Sequence, residues 1–316
     1  MHSTQLWTLT DGHAGNQRQA SALATALAIG PAQDWVLQPR APWRWSAPRK
    51  LAGAERAFGA AFAAALTQPP KLAVGCGRQA ALATRLLRER GGKVIQILDP
   101  RLDPRHWDLL IAPDHDGLRG DNVIALTGSL HPIDDAWLAL ARAAFATFAD
   151  LPQPRTAVLL GGSSAHARFD RNAFEVLASK LEVALAREGG SVLITVSRRT
   201  PVEIVEALRH RYVETPGVVW RGAGDGPNPY PGLLAWADRI VCSPDSVNMI
   251  SEACATQAPV FVFDPARVKG RPRIFLDALL KSARIRAMDA ALAPFPVQPL
   301  RETARVAEAV RQRLRL

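Results

Sequence analysis

The sequence predicts an α/β fold made of two Rossmann-like, doubly wound domains facing a cleft, and three observations predict it. Short apolar runs alternate with longer amphipathic segments along all 316 residues, the pattern of parallel strands joined by helices. The alternation halts at Asp150-Leu151-Pro152-Gln153-Pro154-Arg155, where two prolines in three positions stop helix and strand alike, and then begins again. The length suits two domains of roughly 150 residues each. The expected division is an N-terminal domain over 1–150 and a C-terminal domain over 151–316, with the last helix packing back on the first domain.

In the first half, strands are expected at 5–9, 34–37, 71–75, 93–98 and 109–112, each followed by Gly, Pro or Asp at its turn. Helices are expected at 17–28, 54–66 and 78–90, where apolar residues recur at three- and four-residue spacing, and a long helix at 134–149 closes this half. In the second half the expected strands are 156–160, 191–196, 218–220, 239–242 and 260–263. Helices belong at 172–187, 202–212 and 246–255, and two more end the chain.

Composition narrows the function classes. With 48% hydrophobic and 22% charged residues the chain reads as an ordinary globular protein, not a disordered or disulfide-stapled one. No apolar run reaches the ~18 residues a membrane span needs, and no basic head precedes a long apolar stretch at the N-terminus. Residence in the cytoplasm is the expectation. Cys76, Cys242 and Cys254 form no Cys-x-x-Cys pair, so they read as small buried hydrophobes. A net charge of +10, with Lys at only six positions, predicts anionic partners and favours the planar guanidinium fork as the group that meets them. An Ala- and Arg-rich composition is the bland source of the same excess.

Polar residues cluster where expected strands end. Asp11-Gly12-His13-Ala14-Gly15-Asn16-Gln17 follows the first strand and opens the first helix, so glycines turn the chain and His13 sits as a candidate general base. Gly161-Gly162-Ser163-Ser164-Ala165-His166 follows the first strand of the second half and suits a diphosphate held by backbone amides and hydroxyls; the Lys of a P-loop is missing. In Ser197-Arg198-Arg199-Thr200-Pro201-Val202-Glu203, Thr200 reads as the helix cap, Pro201 as the first helical residue and Glu203 as the closing member of a capping box. Ser197, Arg198 and Arg199 are then left for phosphate oxygens, with a solvated charge pair as the plain alternative. In the segment 243–252, Asp245 or Ser246 caps a helix that carries Asn248 and, one turn on, Glu252, a plausible reader of sugar hydroxyls. Asn228-Pro229-Tyr230-Pro231 is a candidate wall of the same pocket.

Three further motifs have competing readings. Gly75-Cys76-Gly77-Arg78-Gln79-Ala80, with Asp99 about twenty residues on, fits a dinucleotide fingerprint, yet follows the third strand rather than the first. Asp114-His115-Asp116 resembles an Asp-x-Asp metal motif, although turn chemistry explains it as well. Pro42-Trp43-Arg44-Trp45, with Arg40, Arg49 and Lys50, suits a membrane interface or an amphipathic acceptor, and equally the packing of both indoles into the first domain.

Taken together and in order, DGHAGNQRQ, GCGRQ, APDHDG, GGSSAH, TVSRRTP, NPYPGLLAWAD and SPDSVNMISEA, over about residues 10–255, resemble the mitochondrial fission Elm-like family, whose bacterial members are regarded as glycosyltransferases of the GT-B type. The chain is also similar to the peptidoglycan N-acetylglucosaminyltransferase class, where a Gly-Gly-Ser turn and a Ser- and Glu-bearing helix flank the donor. The resemblance implies a nucleotide-sugar donor on the C-terminal domain, contacted by Gly161, Gly162, Ser163, Ser164, Ser197, Arg198, Arg199, Asp245, Ser246, Asn248 and Glu252. It implies an acceptor on the N-terminal domain near Gly12, Gly15, Asn16, Gln17, His115 and Asp116, with His13, or less favourably Asp11, taking the acceptor proton. No metal and no cofactor are then required, the substrate being a nucleoside-diphosphate sugar. The acceptor is expected to be an envelope glycolipid or lipopolysaccharide precursor, with the protein cytoplasmic or peripheral at the inner membrane. Plant members of the family are better known as adaptors in organelle division, so a non-catalytic interaction protein on the same scaffold is the alternative. A NAD-dependent nucleotide-sugar epimerase stands third, and a nucleic-acid binder, lacking a recognition motif, fourth.

Overall fold

The computed structural model describes residues 6–316, which leaves Gln5 of the first expected strand outside the described residues. The described residues separate into two compact units, one of residues 6–132 with 301–316, the other of residues 133–300.

The first unit runs β1 (Leu6–Thr10), α1 (Ala14–Leu27), β2 (Ala32–Val36), α2 (Trp43–Ser46), α3 (Ala60–Ala65), β3 (Leu72–Cys76), α4 (Arg78–Arg88), β4 (Lys93–Ile97), β5 (Leu109–Pro113) and β6 (Val123–Leu126). The second runs α5 (Asp135–Ala144), β7 (Arg155–Leu160), α6 (Arg171–Glu188), β8 (Ser191–Val196), α7 (Val202–Arg211), β9 (Gly217–Trp220), α8 (Tyr230–Trp236), β10 (Arg239–Cys242), α9 (Val247–Cys254), β11 (Val260–Val262), α10 (Arg271–Lys281) and β12 (Ile285–Ala287). Then α11 (Thr303–Leu314) completes the first unit.

Each unit holds one six-stranded, wholly parallel sheet, ordered β2-β1-β3-β4-β5-β6 in the first and β12-β11-β10-β7-β8-β9 in the second. Central strands are buried on both faces, as β1, β3, β7, β8 and β10 are along their whole length. Such strands read as continuous apolar runs because helices cover both sides of a parallel sheet. Two apolar layers per unit do this work, one with Leu6, Leu23, Val74, Ile95 and Val310, the other with Trp7, Phe62, Leu86 and Trp107 in the first unit. In both sheets the first strand lies between neighbours reached in opposite directions. The chain therefore reverses at β1/β3 and at β7/β10, and the crevice outside those carboxyl ends is where doubly wound sheets bind ligands.

Several expectations are corrected. The division falls at 132/133 rather than 150/151, because α5 packs on α8 and the Arg142 guanidinium donates to the Ala235 carbonyl within the second unit. The last helix needs no correction: it packs back on the first unit, against α1, and Arg311 donates to the Ala26 carbonyl. Residues 54–66 are a 3₁₀ turn at Ala54–Arg56 and the short α3, interrupted at Gly59, whose φ of +89° is not helical. The segment 134–149 breaks similarly at Phe145 into α5 and a 3₁₀ turn. Strands β6 and β12 and helix α8 are additional.

Candidate functional site

At the β1/β3 switch point the turn Asp11-Gly12-His13 lies between the end of β1 and the start of α1. The Asp11 carboxylate accepts the His13 backbone N–H at 3.1 Å and Asn16 Nδ2 at 2.9 Å, and lies 3.0 Å from His13 Nδ1. Asn16 Oδ1 in turn accepts the Cys76 thiol at 3.6 Å. Gly77 makes room for this arrangement: a Cβ there would stand 2.6 Å from Asn16 Nδ2. Burial pushes Asp11 up, but the hydrogen bonds from Asn16 and His13 outweigh it and hold the carboxyl below its ordinary value. Burial, helped by the Asp11 charge, raises the Cys76 thiol far above its ordinary value, so it acts as a neutral donor. The outcome is an ionised, oriented carboxylate under an imidazole that is 79% exposed. A carboxylate at Nδ1 fixes the ring orientation and favours the tautomer with hydrogen there.

Gly12 and Gly15 lie in this turn and the first turn of α1 beside Asn16, and Gln17 is exposed there. His115 and Asp116 are not brought to it. They occupy a 3₁₀ turn after β5, three strand spacings from β1, about 14 Å. Among the described residues no group of three His, Cys, Asp or Glu side chains is placed to hold a metal.

The β7/β10 switch point is assembled differently. Gly161 N–H donates to Ser243 Oγ at 2.7 Å and Gly162 N–H to Asp245 Oδ2 at 3.1 Å, while Ser243 Oγ donates to Asp245 Oδ1 at 2.7 Å. Arg199 from the β8 turn donates to Asp245 Oδ2 at 2.7 Å. The Asp245 side chain has no exposed surface. Side chains are excluded from the Gly-Gly turn, since a Cβ at Gly161 would lie 2.2 Å from Asp245 Oδ1 and one at Gly162 1.9 Å from the Arg199 carbonyl oxygen. Three loops thus lock around one buried carboxylate.

This locking revises the expected phosphate cradle. The two glycine amides serve Ser243 and Asp245, and Arg199 serves Asp245. The Ser163 hydroxyl accepts Phe169 N–H, and Ser164 Oγ accepts His166 and Ala167 N–H, so both close their own turn. Thr200 does not cap α7. Pro201 holds the cap position without a side-chain bond, so the expected capping box with Glu203 is absent; Thr200 Oγ1 instead accepts Ser197 N–H and donates to the Leu160 carbonyl. Ser197 Oγ accepts Arg199 N–H. Arg198 is exposed and has no hydrogen bond or ion pair among the described residues.

Ser246, not Asp245, is the N-cap of α9, its hydroxyl accepting Met249 N–H. Asn248 stands in the first turn. Glu252, one turn on and 3% exposed, accepts the Tyr230 hydroxyl at 2.5 Å, so the expected wall residue is a direct partner of the expected hydroxyl reader. At the other end of α9 the buried Arg284 guanidinium donates to the Cys254 carbonyl at 3.0 Å and the Thr256 carbonyl at 2.9 Å. A cation there complements the helix dipole. Sequence reasoning missed Ser243 and Arg284. A serine at a strand end and an arginine thirty residues from its acceptor carbonyl carry no local signal.

The fingerprint-like glycines are explained by packing. A Cβ at Gly75 would stand 2.6 Å from Thr84 Cγ2, and Arg78 and Gln79 donate to main-chain carbonyls of Arg44 and Trp45. Asp99 accepts the Arg101 N–H in a local turn. A groove of about 510 Å³ flanks the edge strand β2, lined by Thr8, Ser21, Pro31 and Asp34, at the side of the sheet rather than at a switch point.

A family model described as mitochondrial fission ELM1 matches residues 14–314. A mitochondrial fission protein ELM1 of Arabidopsis thaliana is 32% identical over 276 residues, 78% of this chain, which thereby spans 64% of the length of that relative. Among solved structures, the UDP-GlcNAc 2-epimerase of Methanocaldococcus jannaschii superposes with a TM-score of 0.57 at 13% identity, covering 98% of this chain and 99% of the other. A variant of Os79 from O. sativa in complex with UDP gives a TM-score of 0.54 at 11% identity over 98% and 90% of the two chains. These likenesses establish a two-unit α/β fold of the GT-B-like kind.

Proposed function

The chain belongs to the mitochondrial fission ELM1 family, and we propose that it is a metal-independent glycosyltransferase that moves a sugar from a nucleoside diphosphate to a hydroxyl of an envelope glycolipid or lipopolysaccharide precursor. The observation that carries this reading is the exposed His13 imidazole held at Nδ1 by an ionised Asp11. A structural histidine has no need of an oriented carboxylate beneath a solvent-facing ring. In the proposed reaction the free ring nitrogen takes the acceptor proton as the oxygen attacks the sugar, and Asp11 stabilises the imidazolium that forms. Within the second unit, the α9 N-terminus and the Arg198 guanidinium, which has no partner among the described residues, are the groups suited to the negative charge of a diphosphate. Arg199 acts one step back by fixing Asp245 and the loops around it. Solved relatives of the fold that bear UDP or act on UDP-GlcNAc support a nucleotide-sugar donor, which this reading carries over as a proposal.

A second reading, a non-catalytic interaction protein, is favoured by one observation: the chain's own Asp245 carboxylate fills the Gly161-Gly162 turn where an anion would be cradled. One experiment separates the two. Calorimetric titration with UDP, GDP, CDP and their sugars should reveal one nucleoside diphosphate that binds. Arg198→Ala should then weaken it about tenfold, and with a competent acceptor His13→Ala should lower turnover at least about a hundredfold without changing nucleotide affinity. Absence of binding to every nucleotide would leave the interaction protein standing.

A further inference from the structure

The segment 35–54 has an uneven make-up. It holds Arg40, Arg44, Arg49 and Lys50 and no acidic residue. Of its two neighbouring tryptophans, Trp43 packs against the core while Trp45 is 72% exposed, and Val36 and Leu51 are exposed at 53% and 41%. The outward ring is not the result of a loose loop. Arg78 donates to the Arg44 and Trp45 carbonyls, Gln79 to the Arg44 carbonyl and Arg85 to the Pro48 carbonyl at 2.8 Å, so α4 grips the main chain from beneath and turns these side chains outward. Arg78 is the first residue of α4, directly after the β3 end. The gripped segment therefore borders the same switch point as Asp11 and His13.

We propose that residues 40–51, with Val36, form a docking surface for an anionic lipid bilayer. Trp45 and Leu51 enter the headgroup boundary, and Arg40, Arg44 and Arg49 lie against lipid phosphates. An indole suits the interface because its ring is apolar and its N–H polar, and cations held near a negative leaflet add attraction that salt screens. A single-stranded nucleic acid would use the indole and the guanidiniums too. The exposed Val36 and Leu51 have no stacking role there, whereas a lipid surface buries them. The proposal deepens the acceptor reading, which it rests on only for its purpose, by delivering a lipid-borne acceptor to the His13 side of the first unit.

The test is co-sedimentation of the full chain with vesicles of phosphatidylcholine alone and of phosphatidylcholine with one third phosphatidylglycerol. Nucleotide affinity is measured separately on the same samples without vesicles. Binding should favour the anionic vesicles at least about tenfold and fall as salt rises. Trp45→Ser and the pair Arg44→Glu with Arg49→Glu should each weaken it about tenfold or more, with thermal melting and nucleotide affinity unchanged. Wild-type protein that ignores anionic vesicles overturns the proposal, as do variants that bind them like wild type. Binding of an oligonucleotide that depends on Trp45, without vesicle binding, overturns it in favour of nucleic acid. Loss of nucleotide binding with vesicle binding intact would count against the transferase reading alone.

Discussion

Both switch points lie beside the first strand of a six-stranded parallel sheet, although the strand orders differ, 2-1-3-4-5-6 in the first unit and, counted within the unit, 3-2-1-4-5-6 in the second, and each uses its carboxylate for a different purpose. In the first unit Asp11 comes from the turn it serves, is partly open to solvent, and directs a 79% exposed imidazole outward. In the second, Asp245 comes from the β10 turn, has no exposed surface, and binds the β7 and β8 turns to its own. The glycines differ accordingly. Gly77 clears space for the Asn16 amide that steadies Asp11, whereas Gly161 and Gly162 allow main chain and carboxylate to close completely. Topology thus supplies a location, and the polar residues at the strand ends decide whether it presents a reactive group or a rigid platform.

The largest effect should come from Gly162→Ala. Its Cβ would collide with the Arg199 carbonyl, so the second switch point must open, at a cost of about 3 kcal/mol or more in chemical denaturation. If the contrast between the two sites is real, Gly12→Ala, whose Cβ meets only Val36 Cγ1 at 3.1 Å, should cost less in spite of its φ of +81°. Next is Arg284→Met, which leaves the carbonyls at the end of α9 without their donor. A loss of about 2 to 3 kcal/mol is expected, and amide exchange in α9 should rise more than in α1. Smaller again is the division of labour between neighbours. Arg199→Met should lower stability by about 1 kcal/mol, since it strips a buried carboxylate of a half-exposed partner, and Arg198→Met should leave stability unchanged. Equal effects in urea denaturation would erase the distinction drawn between them.

The smallest effect is a pH dependence. Asp11 is lowered in the folded protein, so its contribution is complete above the ordinary carboxyl value near pH 4 and is lost as pH falls through the lowered folded value. The stability difference between wild type and Asp11→Asn should therefore stay constant from pH 7 to pH 5 and shrink below about pH 4. Its size should be under about 1 kcal/mol, because solvent screens a partly exposed group. A difference that grows in acid would reverse the assignment. Urea melts at pH 6, 4 and 3 settle the sign.

Legibility followed burial. Strands 191–196 and 239–242 coincide with β8 and β10 to the residue, because a strand covered on both faces reads as a mostly apolar run and these two are bounded by Gly190 and Ser197 and by Asp238 and Ser243. The candidate residues of both switch points were legible for the same reason: each follows such a strand. Less legible were elements whose limits depend on neighbours. Helix α8 hid behind the two prolines of Asn228-Pro229-Tyr230-Pro231, and the 54–66 pattern continued through Gly59 where the main chain did not. Thr200 shows the limit at a single residue. Its spacing fits a capping box, but the Leu160 carbonyl from an adjacent strand takes its hydroxyl.

The excess of arginine is the other instructive case. Positive charge predicted anionic partners, yet Arg155, Arg239 and Arg284 are each under a tenth exposed and serve Asp238, Glu188 and the α9 carbonyls. Only the folded chain separates such internal cations from Arg198 or the basic turn around Trp45.

Local pattern by itself determined the α/β alternation, five of the six strands in each sheet and the strand ends that bear polar groups, since each follows from hydrophobic period and turn chemistry within a few residues. Tertiary structure decided which of those groups face solvent and which are consumed inside. Asp11 and Asp245 look alike as letters after a strand. The partners of Asp11, His13 and Asn16, lie two and five residues away, whereas those of Asp245, Gly162 and Arg199, lie 83 and 46 residues away, and contacts at that separation exist only after folding.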